Sequence, residues 1–249
     1  MKDFLKFTLA TVTGIILSSI VLFIVSMVTL FGIMSASDTE TIVKKNSVMM
    51  LDLNGTLVER TQENPLDILS QLFSDDSNIY GLDDILSSIK KAKENENIKG
   101  IYLQASSLGT SYASLQEIRN ALLDFKESGK FIYSYSNLGY SQKSYYLATV
   151  ADKIFVNPET PLLLTGMSSS ISFYKETLAK LGIQPEVVKV GKFKSAVEPY
   201  IETHMSDANR EQVQTYLNSL WGNIVKGISA SRNIPVEKIN QITDDFKIY

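Results

Sequence analysis

The sequence predicts an α/β domain preceded by one transmembrane helix. Two observations lead there: a long uncharged run near the amino terminus, and after it short strand-like runs alternating with helical patterns of about 10–15 residues, as in βαβ units. A third is negative. No self-similar period of 20–50 residues runs through the 249-residue chain, so a solenoid is not expected.

The uncharged run covers Phe7 to Ser37, 31 residues bracketed by Lys6 and Asp38. A bilayer core of roughly 30 Å needs about 20 helical residues, so this run spans with margin. A cleaved signal peptide is the alternative, and Ser35-Ala36-Ser37 has the small residues of a cleavage site. The apolar stretch is much longer than the about 7–15 residues of a signal h-region, which favours a retained anchor. Lys2 and Lys6 before the span place the amino terminus in the cytoplasm and the bulk outside, although Lys44 and Lys45 pull the other way. The division expected is 1–37 as cytoplasmic stub and anchor, and 38–249 as the folded domain.

In that domain Val48 to Leu53 reads as a strand ended by Asn54-Gly55. A segment from Pro65 to Phe73 and a polar loop from Ser74 to Asn78 follow. Leu82 to Ala92 carries Leu82, Ile85, Leu86 and Ile89 on one helical face. Ile98 to Leu103 is a strand. Leu115 to Phe125 is a helix stopped at Gly129. Phe131 to Tyr135 is a strand, Ser144 to Val150 a short helix and Lys153 to Val156 a strand. Ser172 to Leu181 is a helix closed by Gly182, and Pro185 to Val190 is a strand ended by Gly191. Ser206 to Ser231 is one long helix. The last residues, through Phe246, Ile248 and Tyr249, end on an apolar tail without a stop signal, which is the pattern expected of a truncated chain.

Composition narrows the chemistry. Net charge is −3, from 24 basic and 27 acidic residues without a basic stripe, so nucleic acid is not an expected partner. There is no cysteine, which removes disulfides, thiol nucleophiles and thiolate metal sites. His204 is the single histidine, in ETHMSD before a helix, where a solvent-facing ring is expected. No phosphate loop, GxGxxG, HExxH or GxSxG occurs, and no cofactor or metal is expected. Lysine is then the side chain left to activate a hydroxyl, which it does only when desolvation makes it neutral. The SxxK spacings Ser87–Lys90 and Ser172–Lys175 fall on ordinary polar helix faces. The segment VGKFKSAVEPY, Val190 to Tyr200, is unusual: a glycine breaks a strand and Lys194 follows it, toward the carboxyl edge of a sheet. On physical grounds alone a solvated loop lysine remains the commoner reading.

That segment resembles, nearly residue for residue, the lysine segment of the signal peptide peptidase A (protease IV) family, peptidase family S49. IKGIYLQASSLG is similar to the family's strand and glycine-bearing turn, and GYSQKSYYLATVADKIFVNP to the helix and strand after its nucleophile position. MSDANREQ and ASRNIPVEKI match in pattern as well. The resemblance implies a Clp protease/crotonase-like fold and a Ser-Lys dyad with Lys194 as general base. It also implies cleavage of signal peptide remnants at the bacterial inner (plasma) membrane, and a homo-oligomer, a tetramer in the family. One position departs from the family. Alignment on Tyr145-Tyr146 puts Gln142 where single-unit members carry the serine, with Ser141 and Ser144 displaced from it. The family's long form divides the work, its first half supplying the lysine and its second the serine. This chain has the lysine-half signature, so alone it is expected to be inactive. A non-catalytic, membrane-anchored crotonase-like scaffold is the alternative. An acyl-CoA enzyme would bind adenine nucleotide and gives no reason for an anchor.

Overall fold

A computed structural model describes residues 1–36, 42–60, 79–188 and 190–245. They fall into two compact units, 1–44 and 45–249. The first is built on helix α1, Lys2–Ala36, which is long and apolar enough to cross a membrane. At about 1.5 Å per residue its 35 residues reach some 50 Å. The hydroxyls of Thr8, Thr11 and Thr13 donate to the carbonyls of Phe4, Phe7 and Leu9, four residues back, so these hydroxyls are satisfied within the helix.

The second unit is the α/β domain. Strand β1, Ser47–Asp52, continues after a short break into β2, Gly55–Val58. Then come β3, Ile79–Gly81; helix α2, Leu82–Glu94; and β4, Ile98–Gln104. β5, Leu108–Gly109, leads to α3, Tyr112–Lys126, then β6, Phe131–Ser136, α4, Gln142–Ala148, and β7, Lys153–Val156. Helices α5, Lys175–Lys180, α6, Glu198–Ile201, α7, Asp207–Arg232, and α8, Val236–Asp244, complete it. β1, β4, β6 and β7 form one parallel sheet in the order β1-β4-β6-β7. β3, β2 and β5 form a second, also parallel.

The core explains the pairing. Leu51, Leu53, Ile101, Leu103 and Ile132 are buried on the sheet, and Ile85, Ile89, Leu115, Ile118, Leu122 and Phe125 come from the helices that follow β3 and β5. Because the main sheet is parallel, β1, β4 and β6 all end at one edge, and their following turns lie side by side there. Asn54 accepts from the backbone N–H of Ser106 at 2.8 Å, and the hydroxyls of Ser106 and Ser136 meet at 2.9 Å. That edge carries the turn from Ser106 to Thr110 and, beyond β6, the start of α4 at Gln142.

Most expected elements form within a residue or two of their expected ends. Three do not, the first being α3, which begins at Tyr112, three residues before Leu115. Pro185 to Val190 does not form a strand: residues 183–188 and 190 are irregular, and Lys189 lies outside the described residues. Val188 and Val190 are 98% and 82% exposed, and among the described residues no strand pairs with this β-branched run. The helix expected from Ser172 begins only at Lys175, where the Tyr174 N–H is drawn to the Pro199 carbonyl at 2.7 Å. Gly182, at φ +72°, closes that helix as expected. The second sheet was not expected. The segments from Pro65 to Phe73 and Ser74 to Asn78, and the tail from Phe246 to Tyr249, lie outside the described residues.

Candidate functional site

The lysine segment is built on a buried carboxylate. Gly191, at φ +98°, turns the chain, and Lys194 precedes a single 3-10 turn, Ser195–Val197, that runs into α6. Glu198, 4% exposed, holds that turn down. It accepts from the Ser206 hydroxyl at 2.6 Å and from the Asn209 side-chain amide at 2.9 Å. Ser206 caps α7, its hydroxyl accepting from the Asn209 N–H. The VGKFKSAVEPY and MSDANREQ segments are thus stitched together by one buried network. Tyr174 and Tyr200, stacked at 6.2 Å, brace the other side.

Lys194 itself is exposed, and among the described residues no hydrogen bond or ion pair holds its ammonium group. Its neighbours are engaged elsewhere. The Ser195 hydroxyl donates to Gln212 at 3.3 Å, and Lys192 pairs with Glu211 at 3.2 Å. Val188, Val190 and Phe193 leave apolar surface exposed along the same segment.

The nucleophile position of the resemblance is occupied by a well-tied glutamine. Gln142, in the first turn of α4, donates from Nε2 to the Tyr112 hydroxyl at 3.1 Å. Its Oε1 accepts from the backbone N–H groups of Thr165 at 3.2 Å and Gly166 at 2.9 Å. Ser141 and Ser144 serve the helix end: their hydroxyls meet at 2.9 Å, Ser141 caps the Ser144 N–H, and Ser144 is fully buried. Lys143 donates to the Thr110 carbonyl at 2.6 Å and lies over the Tyr112 ring. In the turn Ser106 to Thr110, the N–H groups of Ser106 and Ser107 both go to Asn54 Oδ1, and Gly109 pairs with β2. Those amides are therefore not open to a reacting carbonyl.

His204 is exposed, its Nδ1 3.2 Å from the Thr203 hydroxyl. Ser87, Lys90, Ser172 and Lys175 are all exposed. A cavity of about 900 Å³ lies between α3 and α7, lined by Gln116, Leu123, Leu220 and Gly227 among others, and Lys194 does not line it. Arg119 closes its floor, 2% exposed and without a carboxylate partner among the described residues. The guanidinium donates to the carbonyls of Tyr146 and Gly227 and to Thr149 Oγ1, and stacks over the Tyr146 ring at 4.5 Å. Burial pushes its pKa down, with the charge interaction at Tyr146 opposing. Sequence reading missed both this residue and Glu198. Neither carries a local motif, although the Ser206–Asn209 cap spacing was a signal for the second.

The lysine segment lies in a parallel α/β domain that follows an apolar amino-terminal helix in the chain. The chain belongs to peptidase family S49, whose family model matches residues 124–249. It is 36% identical over 197 residues to "Protease 4" of Salmonella typhi, covering 77% of this chain and 32% of that protein. "Protease 4" of Haemophilus influenzae is 31% identical over 221 residues, 87% of this chain and 36% of that protein. "Serine protease SPPA, chloroplastic" of Arabidopsis thaliana is 30% identical over 187 residues, 75% of this chain and 26% of that protein. The chain thus spans about a third of the length of the curated relatives it matches. Among solved structures, an enoyl-CoA hydratase/isomerase family protein from Silicibacter pomeroyi gives a TM-score of 0.28 at 10% identity, over 65% of this chain and 84% of that one, too slight a likeness to argue from.

Proposed function

We propose that this chain is the lysine-bearing part of a membrane-anchored serine endopeptidase that degrades cleaved signal peptides, with Lys194 as general base of a Ser-Lys dyad. The observation that carries the reading is the pairing of an intact VGKFKSAVEPY segment with Gln142 at the nucleophile position. Glutamine has no hydroxyl to lose, so the serine comes from another domain, such as a carboxyl-terminal half. Neutral Lys194 takes the proton from that serine as its oxygen attacks the scissile carbonyl, then returns it to the leaving amine as the acyl-enzyme forms. Water, deprotonated by the same lysine, releases the acyl group. The exposed apolar surface at Val188, Val190 and Phe193 supports a covering partner that would exclude water from the lysine tip. The same reading includes a homo-oligomer, a tetramer by family resemblance, and a bacterial inner membrane setting. Lys2 and Lys6 orient α1 with the domain outside. No step calls for a metal or cofactor, and the Clp protease/crotonase-like frame belongs to this reading.

The test compares this 249-residue chain in detergent with a protein joining it to a serine-bearing S49 half, on a hydrophobic signal peptide. The joined protein is expected to cleave and the chain alone is not. Cleavage by the chain alone, lost on Ser141→Ala or Ser144→Ala, would sink the division of labour. Gln142 also favours a second reading, a non-catalytic scaffold, and a joined protein that binds peptide without cutting it would point there.

A further inference from the structure

Side chains alternate across each strand, so the parallel register sorts those of the main sheet onto two faces. Leu51, Ile101, Leu103 and Ile132 are buried on one. On the other stand Val48 and Met50 of β1, Tyr102 of β4, Phe131 and Tyr133 of β6, and Phe155 of β7. Val48, Met50 and Phe155 are exposed and the rest half-buried, whereas parallel sheets are ordinarily covered on both faces. The Phe131 ring fills the place that a Cβ on Gly100 would take, 2.5 Å away, and so rests on that strand. Tyr133 packs against Phe131 at 4.7 Å and against Phe155 at 6.4 Å. The four strands run the same way, and Lys45, Lys99, Lys130 and Lys153 each stand within two residues of a strand's first residue, one per strand. Lys45, Lys99 and Lys153 are exposed, and the Lys153 ammonium lies 5.6 Å from the Tyr133 ring; Lys130 is turned to the carbonyls that end α2. Asp152 beside this row is paired with Lys126, Asp52 holds Asn54 at the far end of β1, and Glu96 offsets part of the row's charge. The chain enters β1 at the same edge: residues 37–46 join α1 to it, and even fully extended they reach only about 35 Å.

We propose that this lysine-rimmed aromatic face is a second membrane contact of the chain, seated on the anionic phospholipid surface of the bilayer that α1 crosses. Tyrosine joins an apolar ring to a polar tip, the chemistry that suits the headgroup level of a bilayer. Lysines lay their stems along apolar surface and leave the ammonium groups for lipid phosphates. The short tether is what selects a lipid surface over a freely diffusing partner. It holds the face at high effective concentration beside the bilayer, so weak contacts suffice. Seated this way, the domain keeps one orientation to the membrane instead of swinging on its tether. The inference rests on the reading of α1 as an anchor and does not depend on Lys194.

The chain has no cysteine, so a fluorophore on a single introduced thiol reports from one place. Met50→Cys and Phe155→Cys put it on the face, and Ser87→Cys puts it on α2 as the control, each in the full chain. Quenching by aqueous iodide is compared in detergent and in vesicles of phosphatidylcholine with phosphatidylglycerol. On passing from detergent to vesicles, quenching is expected to be lost at positions 50 and 155 and kept at 87. Lys99→Glu together with Lys153→Glu should restore it at both, with unchanged Trp221 emission as the check on folding. Equal quenching at all three positions in vesicles overturns the proposal, as does shielding that survives the charge reversal. Shielding already present in detergent overturns it too: a second copy covers the face if that shielding grows with protein concentration, and the chain's own residues if it does not. A chain that does not float with the vesicles would sink the anchor and this inference with it, whereas one that floats with its face open sinks this inference alone.

Discussion

The Asn209 side-chain amide donates to the Glu198 carboxylate at 2.9 Å, each residue 4% exposed, and so ties the loop bearing Lys194 to the first turn of the long helix α7. A carboxylate in that position fixes the lysine segment from below while leaving its upper surface free. Replacing Glu198 by Ala strips partners from the Ser206 hydroxyl and the Asn209 amide at once. Hydrogen bonds to a charged group are worth about 1.5–3 kcal/mol each, and the two share one anchor, so about 2–3 kcal/mol of stability is expected to go. Urea unfolding followed by the Trp221 fluorescence measures it, and an unmoved midpoint would contradict the anchoring role.

Arg119 joins three helices through neutral acceptors: the Tyr146 carbonyl and Thr149 hydroxyl at the end of α4, and the Gly227 carbonyl of α7. The last carbonyls of α4 carry partial negative charge, which is what a buried cation needs where, among the described residues, no carboxylate pairs with it. Arg119→Met is expected to cost about 3 kcal/mol or more, because buried carbonyls lose their donor. Arg119→Lys should recover little, since an ammonium cannot reproduce the planar fork. The order Arg, then Lys close to Met, in denaturant midpoint is the expected result. A Lys variant as stable as wild type would mean that charge, not geometry, does the joining.

Asp152 gives a pH dependence with a definite sign. Burial pushes its carboxyl up, but the hydrogen bond from Lys126 and that from the Ile132 N–H outweigh it, leaving the pKa below the ordinary carboxylate value. A group whose pKa is depressed on folding contributes stability above its unfolded pKa of about 3.9 and loses it as pH falls through the folded value. Both side chains of the pair are more than a third exposed, so solvent screens much of the gain. Asp152→Asn should flatten the acid limb of the stability curve below about pH 4 and lower the plateau slightly. An acid limb identical to wild type would assign the loss to other carboxylates.

Where the chain pairs with its own neighbours, the fold was legible from pattern alone. Lys153–Val156 forms where alternation and flanking turns put it, and α3 extends over the apolar face Leu115, Ile118, Leu122 and Phe125. The strand expected at Pro185 to Val190 fails because β-branched residues favour a pleated surface only when another strand or a core face receives them. Val188 has neither. β2 and β5 escaped because four- and two-residue strands carry too few side chains to show a period. At the site, the lysine segment was readable as a motif, but what Glu198, Arg119 and Gln142 hold is not. Their partners lie 8 to 112 residues away in sequence, and apart from the Ser206–Asn209 cap spacing nothing local marks such a separation.

Lys192 and Lys194 provide the most discriminating comparison for the proposed chemistry. They are two residues apart on the same turn and both exposed, yet Lys192 is engaged with Glu211 at 3.2 Å and lies over the Phe193 ring at 4.8 Å. That pair is exposed on both sides, the class of ion pair whose removal changes stability by about 0–1 kcal/mol. Lys192→Ala in a protein joining this chain to a serine-bearing half should leave peptide cleavage within about twofold. Lys194→Ala should lower kcat by at least about a hundredfold, the ordinary range for loss of a general base. Lys194→Arg should be as inactive, because a guanidinium stays protonated at any working pH and cannot accept the serine proton. All three variants should unfold with wild type, since neither ammonium is part of a buried network. Equal losses from Lys192 and Lys194 would mean that the loop contributes positive charge rather than a base, and full activity in Lys194→Ala would remove the dyad.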